Sequence, residues 1–214
     1  MKKYSLVVWD WNGTLLDDVD ANLRTANRML KCRGLNEIES KDDYRSLFCF
    51  PVVNFYNKVG FDLDAEDFGK IAEEYVVTYT EENAVSSLFS GAREALSKLK
   101  EENVRQVIVS ATEHERLRLE VASHGVSDML EDILGVGDNY GNSKTSVAKA
   151  FVEGCGVHPT EILFVGDTCH DSEVAGACGC DCVLVAGGHI SAENLAKSGR
   201  YVVNSIKDIA DLVI

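Results

Sequence analysis

Polar side chains that could work together in catalysis stand just beyond several short apolar runs of this sequence. They are Asp10, Asn12 and Thr14 after the first run, Ser110 and Ala111 after the second, and Lys144, Asp167 and Asp171 further along the chain. A carboxylate can attack phosphorus as a covalent nucleophile and give an aspartyl-phosphate. We expect Asp10 to be this nucleophile, because it leaves a buried strand for a glycine-containing loop that holds it in place and leaves it accessible.

Attack by one anion on another requires neutralising charge, which the remaining acids and Lys144 would help to supply. Carboxylate and carbonyl oxygens are preferred ligands of Mg²⁺. We expect Asp10 and Asp167 to bind this ion directly, with Asp171 as a further ligand or as an acceptor beside it. Lys144 would stabilise both Asp10 and the transition state with a compact positive charge.

Hydroxyl and amide groups would hold the phosphoryl oxygens. Ser110 can donate a hydrogen bond to one oxygen, while Thr14 and loop N–H groups such as that of Ala111 can donate to the others. The predicted phosphate-binding set is therefore Thr14, Ser110, Ala111 and Lys144.

The apolar runs predict the elements that must position these residues. The runs that do not alternate apolar with polar residues are Leu6 to Trp9, Val107 to Val109, Ile162 to Val165, Val183 to Val185 and, more weakly, Tyr201 to Val203. Such runs are typical of strands buried on both faces of a parallel sheet, and helical patterns lie between them. The predicted fold class is therefore α/β, a Rossmann-like doubly wound sheet whose ligands bind beyond the carboxyl ends of the strands.

Residues 17–87 interrupt this alternation, because they show successive helical patterns and no convincing strand. We interpret them as a helical insertion between the first strand and the rest of the sheet. Residues 1–16 and 88–214 would then form the α/β core.

Composition narrows the classes of partner. The 214 residues carry a net charge of -14, which repels nucleic acid and anionic membranes, and no apolar run approaches the ~20 residues of a membrane span. We therefore expect neither partner. The 7 cysteines, with no secretory leader pattern before them, indicate a cytoplasmic protein with reduced thiols. Anionic metabolites would also be repelled, so a phosphate site here needs a local cation. Oligomeric state is not encoded in these patterns.

Taken in order, the motifs resemble those of the haloacid dehalogenase-like hydrolase superfamily, whose pattern is D-x-D-G-T, a Ser or Thr, a Lys, and G-D-x-x-x-D. The matching residues are Asp10, Gly13, Thr14, Ser110, Lys144, Gly166, Asp167 and Asp171. The segments around Ser110 and from Lys144 to Asp171 look like the phosphoglycolate phosphatase-type branch, in which the insertion is a helical cap. The resemblance implies Mg²⁺-dependent hydrolysis of a phosphoric monoester on a small phosphorylated metabolite.

One residue departs from the pattern. The second Asp of D-x-D, which in this family protonates the leaving group and then activates water, is Asn12 here. An amide cannot exchange a proton at neutral pH, although its backbone carbonyl can still bind the metal. A missing general acid costs ~10²–10⁴-fold in rate, and acyl or aryl phosphates with good leaving groups lose least.

Three accounts of this departure stay open. The protein is a slow phosphatase, or one that uses His170 or His114 as a substitute acid and base. Alternatively it is a non-catalytic protein that binds phosphate and metal. The least favoured account is a dehalogenase, since halide leaves unprotonated but that branch works without the metal that Asp167 and Asp171 predict.

Substrate choice would depend on the cap. Arg45, before the segment Phe48-Cys49-Phe50-Pro51, is a hypothetical contact for a second anionic group of the substrate. The competing interpretation is a surface arginine paired with Asp42 or Asp43.

Overall fold

A central parallel sheet organises the computed structural model, which describes residues 3–137 and 143–214. Within those ranges the strands are β1 (Leu6–Trp9), β2 (Leu16–Asp17), β3 (Ser87–Leu88), β4 (Arg105–Glu113), β5 (Asp132–Val136), β6 (Ile162–Gly166), β7 (Asp181–Val185) and β8 (Tyr201–Val203). The main sheet has the order β5-β4-β1-β6-β7-β8, and all its pairs are parallel. The α/β doubly wound prediction is confirmed.

The sheet is buried on both faces, as its uninterrupted apolar runs predict. Every residue of β1 and β6 is buried, and Val8 lies in register between Val107 and Phe164. Because side chains alternate along each strand, Val7 and Trp9 enter the hydrophobic cluster on one face while Leu6 and Val8 enter the cluster on the other. The strand that carries Asp10 is therefore held from four sides.

Strand β5 is absent from the runs recognised in the sequence. Its residues Asp132 and Gly135 interrupt the apolar pattern. The glycine is needed there, since a Cβ at Gly135 would lie 2.4 Å from the carbonyl oxygen of Thr112. Neighbouring backbones approach closely at this position and require glycine. The strand therefore lacks an apolar side chain there, and the sequence pattern did not predict it.

Helices complete the layers. They are α1 (Val19–Cys32), α2 (Lys41–Leu47), α3 (Val52–Lys58), α4 (Phe68–Asn83), α5 (Ala92–Glu101), α6 (His114–Ser123), α7 (Lys144–Gly154), α8 (Cys169–Ala177), α9 (Ala192–Ala196) and α10 (Asp208–Val213). In the part of the chain that the structure describes, no helix has both the length and the apolar character needed to cross a bilayer.

The first four helices, α1 to α4, form a separate layer over the carboxyl ends of the strands. The chain enters and leaves this layer through a two-stranded antiparallel ribbon in which Leu16 pairs with Leu88 and Asp17 with Ser87. The layer has its own hydrophobic cluster, which includes Met29, Leu30 and Phe55. A second apolar core within the insertion explains why it can be built from helices alone.

Candidate active site

Three acids converge where β1 and β6 end. Asp10 follows β1, Asp167 follows β6, and Asp171 lies in the first turn of α8. The two strand ends are held side by side, because the Asp10 N–H donates to the carbonyl oxygen of Val165 at 2.8 Å. Carboxylate oxygens of the three residues lie within 4.8 Å of one another, and all three side chains are buried.

Lys144 lies between two of these acids. Its Nζ is 2.5 Å from Oδ1 of Asp10 and 2.5 Å from Oδ1 of Asp171. The helix α7 begins at this residue because Ser143 caps it, its hydroxyl accepting from the N–H of Ser146. Burial works against the charged amine, but the two carboxylates raise the pKa of Lys144 above its ordinary value. The ammonium therefore stays charged beside the expected nucleophile.

One ammonium does not neutralise three buried acids. Burial raises the pKa of Asp10 to about 7, although Lys144 works in the opposite direction. Burial also raises the pKa of Asp167 to about 6. Asp171 is buried as well, but the charge and hydrogen bond of Lys144 hold its pKa below the usual value. A cation between these groups would relieve the raised pKa values.

The donor set fits Mg²⁺. Three carboxylates offer hard oxygen ligands within one small space, and no thiol or imidazole belongs to the cluster that these described acids form. Asp171 is already fixed by the Thr168 N–H and hydroxyl, which donate to its Oδ2 at 3.0 and 2.7 Å. Such outer contacts orient a carboxylate toward a metal.

The predicted phosphate-binding residues are divided by the structure. Ser110 and Ala111 line the cavity above the acids, and so does Lys144. Thr14 is fully buried behind the acids, where its hydroxyl lies 3.0 Å from Oδ1 of Asp167 and 3.4 Å from Oδ2 of Asp10. Its side chain therefore spaces the two carboxylates, and in this geometry it does not face the cavity.

Asn12 is fixed by three hydrogen bonds. Its Nδ2 donates to Oδ2 of Asp18 at 2.9 Å and to the hydroxyl of Tyr79 at 2.8 Å, while its Oδ1 accepts from the Thr112 hydroxyl at 2.7 Å. The Tyr79 hydroxyl donates in turn to Asp18 at 2.7 Å. The amide therefore contributes two donors and one acceptor to a network that joins the sheet to α4.

Asp18 and His189 were not recognised in the sequence. Nε2 of His189 lies 3.2 Å from Oδ1 of Asp18, and both side chains are buried. Burial lowers the pKa of His189, but the paired carboxylate outweighs it and raises the pKa to about 9. The backbone N–H of His189 donates to Oδ2 of Asp167 at 2.7 Å. His189 follows the apolar run Val183 to Val185. The expectation that ligands bind beyond the carboxyl ends of the strands could therefore have identified it.

Glycine allows the loops to meet here. Gly13 has φ of 73°, and a Cβ on it would lie 2.4 Å from Oδ2 of Asp167 and 2.5 Å from the His189 ring. The glycine of the first motif is thus required both by its backbone conformation and by the space around it.

Arg45 lies away from the expected substrate position. Its Nε donates to the carbonyl oxygen of Gly188 at 2.9 Å and its Nη2 to that of Gly187 at 2.7 Å, with Asp42 at 3.4 Å from Nη1. The side chain holds the loop that carries His189 and is not among the residues that line the cavity. Its guanidinium acts on the site through that loop.

Between the strand ends and helices α1 to α4 lies a cavity of about 830 Å³. Asp10, Ser110 and Lys144 form part of its floor, and His170 and Arg116 also line it. His114 is not among its lining residues; its Nδ1 lies 3.4 Å from the N–H of Gly135. Of the two histidines considered as substitutes for an acid and base, only His170 borders the cavity.

Comparisons with known proteins identify a family, relatives in sequence and a similar solved structure. A family model described as haloacid dehalogenase-like hydrolase matches residues 7–185. A phosphoglycolate phosphatase from Chromobacterium violaceum is 28% identical over 229 residues, covering 100% of this chain and 98% of the relative. Tyrosine-protein kinase PtkA from Mycobacterium tuberculosis is 27% identical, covering 97% of this chain and 70% of the relative. Among solved structures, a haloacid dehalogenase-like family hydrolase from Streptococcus pneumoniae superposes with a TM-score of 0.84 at 15% identity, over 99% of each chain.

Proposed function

The chain belongs to the haloacid dehalogenase-like hydrolase family, and from that premise we propose that it is a Mg²⁺-dependent phosphatase that hydrolyses a monoester of a small phosphorylated metabolite. One observation carries the proposal: Asp10 lies at a buried strand end with Lys144 bound to one oxygen and Asp167 and Asp171 close by. The phosphoglycolate phosphatase relative supports the same reaction class.

Asp10, Asp167, Asp171 and the backbone carbonyl of Asn12 would hold the ion. When bound, Mg²⁺ supplies positive charge to the phosphoryl group and to the surrounding acids. Lys144 orients the carboxylate of Asp10. Its positive charge attracts the phosphoryl group more strongly as negative charge develops in the transition state. Ser110 and Ala111 line the cavity, and the Ser110 hydroxyl and the Ala111 N–H would bind phosphoryl oxygens.

The reaction would proceed in two displacements. An oxygen of Asp10 forms a bond to phosphorus while the bond from phosphorus to the ester oxygen breaks, and the leaving oxygen takes the electron pair. Water then attacks the phosphorus of the aspartyl-phosphate, and the bond to Asp10 breaks with its electron pair returning to the carboxylate. Inorganic phosphate leaves as dihydrogen phosphate, carrying both protons of the water. We propose that helices α1 to α4 act as the cap that keeps bulk water out during the first step.

Asn12 determines which esters react well. Its amide N–H groups are too weakly acidic to protonate a leaving group, and both amide hydrogens and the amide oxygen are already bound to Asp18, Tyr79 and Thr112. The leaving group must therefore depart largely unprotonated, which favours esters of acidic alcohols and acids. We propose slow turnover of alkyl phosphates and faster turnover of aryl or acyl phosphates.

A cytoplasmic location is part of the proposal. All 7 cysteines are free thiols in the structure, which suits a reducing compartment.

The test is a panel of phosphate esters assayed with Mg²⁺ for the wild type and for Asp10→Asn. We expect turnover of an aryl phosphate that stops with EDTA, returns with Mg²⁺ and is absent in Asp10→Asn. Rapid acid quenching followed by intact-mass measurement should show a phosphoryl adduct on the wild type and none on Asp10→Asn.

A non-catalytic protein gives a different outcome. No turnover across the panel, in the wild type and in Asn12→Asp, together with retained Mg²⁺ binding, would contradict the phosphatase and favour a phosphate-binding or metal-binding protein. Halide release from a haloacid without any phosphatase activity would instead favour a dehalogenase.

A further inference from the structure

The cavity is much larger than its catalytic floor requires. Its volume of about 830 Å³ lies near the upper end of the range for small-molecule sites, roughly 300–1,000 Å³. A two-carbon acid phosphate would fill a small part of it. The substrate that this space fits has an organic group large enough to reach from Asp10 to the helices above.

Aromatic side chains form the upper walls. The cavity-lining aromatic residues contributed by residues 44–79 are Tyr44, Phe48, Phe50, Phe55, Tyr56, Phe68, Tyr75 and Tyr79. Phe50 is 40% exposed and stacks on His170, with ring centroids 4.9 Å apart. An exposed aromatic ring at a cavity edge is a surface that an apolar or aromatic ligand would cover. The walls thus favour a flat apolar group on the substrate.

Arg116 provides a cationic group on the same cavity. Its Nε and Nη1 are buried and have no hydrogen-bond partner within residues 3–137 and 143–214. The nearest carboxylate oxygen, Oε1 of Glu120, is 3.8 Å from Nε, and the other Glu120 oxygen accepts from Trp11 at 3.0 Å. The guanidinium lies 5.9 Å from the ring centre of Tyr79, whose hydroxyl binds Asn12 beside the nucleophile.

Two other arginines show hydrogen-bonded ion pairs with carboxylates. Arg33 binds Glu66 and Glu74, and Arg105 binds Glu131 at 2.6 Å. Nε and Nη1 are themselves closed to a ligand, but among the described residues no carboxylate is closer to the guanidinium than the 3.8 Å of Glu120. The side chain lines the cavity and is 24% exposed, so its positive charge is available to an anion bound there. A carboxylate matches a guanidinium in charge and geometry.

We propose that the substrate is an aryl phosphate whose ring carries a second anionic group, with the ring against the cap aromatics and the anion bound by Arg116. This inference rests on the proposed function. It agrees with the chemistry at Asn12, because a phenolate leaves phosphorus with the bonding electron pair and needs no proton from the protein. The later attack by water releases phosphate from Asp10, as for any ester.

The experiment compares two matched substrates, 4-carboxyphenyl phosphate and the uncharged 4-carbamoylphenyl phosphate, with 2-phosphoglycolate as the small alkyl reference. The ionised carboxylate withdraws electrons less than the amide does, so leaving-group ability alone favours the amide ester. A preference for the carboxylate ester therefore reports recognition of its charge. In the wild type with Mg²⁺ we expect kcat/KM for the carboxylate to exceed that for the amide by about tenfold. Both aryl esters should exceed 2-phosphoglycolate.

Two arginine variants separate the role of Arg116 from general charge. Arg116→Gln should bring the ratio of the two aryl esters close to one. Arg118→Gln, on the same helix but exposed and away from the cavity, removes the same charge and should keep the wild-type ratio. Equal ratios in the wild type and Arg116→Gln, or a preference for 2-phosphoglycolate, would overturn the inference while leaving the phosphatase intact.

A binding measurement distinguishes failure of the proposed function from failure of this inference. Calorimetric titration of Asp10→Asn with the same esters needs no turnover. If 4-carboxyphenyl phosphate binds more tightly than the other two esters, and adding Arg116→Gln abolishes that difference, the ligand class is supported even if no ester is hydrolysed. Equal binding of all three esters contradicts it.

Discussion

The end of the sheet and the helical layer contribute to one cavity in opposite ways. On the sheet side, Asp10, Lys144 and Asp171 are buried and hold one another through short ion pairs. On the helical side, the lining is aromatic, and Phe50 and Phe68 are 40% and 36% exposed. Charge and rigidity are therefore concentrated where bonds would change, while the adaptable apolar surface lies where a substrate would be selected.

The largest effect should come from the sheet side. Asp10→Asn removes the attacking oxygen, so kcat/KM for aryl phosphates should fall by at least about 10⁴-fold. The same change removes one of three crowded buried acids. Burial raises the pKa of Asp10 to about 7, so at pH 8 its ionised carboxylate destabilises the metal-free protein. Asp10→Asn should therefore melt at a higher temperature than the wild type at pH 8 without metal.

A melting curve in EDTA checks the second part of this expectation. Asp208→Asn, on the helix α10 and outside the acidic cluster, is the control for an ordinary loss of charge. A lower melting temperature for Asp10→Asn would contradict the view that the acids repel one another without a cation.

Lys144→Gln should lower kcat by about 10³-fold, because it removes the charge that orients Asp10 and stabilises the transition state. It also leaves Asp10 and Asp171 without their cation. Breaking a buried ion pair by removing one partner costs about 3–5 kcal/mol, which urea unfolding in EDTA would measure.

Lys144→Arg keeps the charge and serves as the comparison. The Lys144 side chain is only 5% exposed, and its Nζ lies between two carboxylates. The longer, planar guanidinium does not fit that space, so we expect only partial recovery of the rate. Full activity in Lys144→Gln would show that the ion pairs are structural only, whereas full activity in Lys144→Arg would show that the positive charge suffices without the exact geometry of lysine.

Asn12 and Asp18 offer an exchange of groups across the boundary between sheet and helices. Asn12→Asp alone places a carboxylate about where Nδ2 now lies, 2.9 Å from Oδ2 of Asp18, and should lower the melting temperature. Adding Asp18→Asn reverses the donor and acceptor, so the hydrogen bonds to each other and to Tyr79 can form again. This double variant should recover part of the stability lost in Asn12→Asp, since Asp18→Asn also removes the carboxylate that pairs with His189 and accepts from the Asn22 amide.

The double variant should also recover a general acid and base. We expect its kcat/KM for 2-phosphoglycolate to rise by about 10²-fold, with a smaller change for aryl phosphates, which do not need the proton. Asp18→Asn alone is the control, since it removes the partner of His189 without adding an acid. Equal gains for alkyl and aryl esters would show that leaving-group protonation is not the limitation.

Sequence patterns located the sheet side well. Asp10, Lys144, Asp167 and Asp171 each stand at the end of a strand or the start of a helix, and the order of such elements in a parallel sheet brings them together. Ser110 lies within β4, at the point where the pairing with β5 shifts register, and not after the strand as its apolar run predicts. The convergence could therefore be predicted from spacing. The position of Thr14 could not, because the direction of a hydroxyl behind two carboxylates depends on side-chain packing.

The helical side was harder to predict for a physical reason. Helix α2, with the sequence KDDYRSL, buries only Tyr44, so it has almost no apolar periodicity. Arg45 and Arg116 are similar in sequence terms, yet one binds the carbonyl oxygens of a loop and the other lines the cavity. Which arginine faces the substrate depends on how helices pack over the sheet, and no short motif encodes that.

The smallest effect should come from the rim of the helical side, and it tests the division of roles directly. Phe50→Ala removes an exposed ring that stacks on His170 and lines the cavity, without touching Asp10 or Lys144. If the helical layer selects the substrate while the sheet performs chemistry, KM for aryl phosphates should rise by about tenfold with kcat unchanged. The KM for 2-phosphoglycolate should stay the same, because that ester does not reach the ring.

Leu119→Ala, at a position that is 72% exposed on α6 and outside the cavity, is the matched loss of exposed apolar surface and should change neither constant. A fall in kcat with KM unchanged for Phe50→Ala would place the ring in the chemical step and remove the distinction between the two sides.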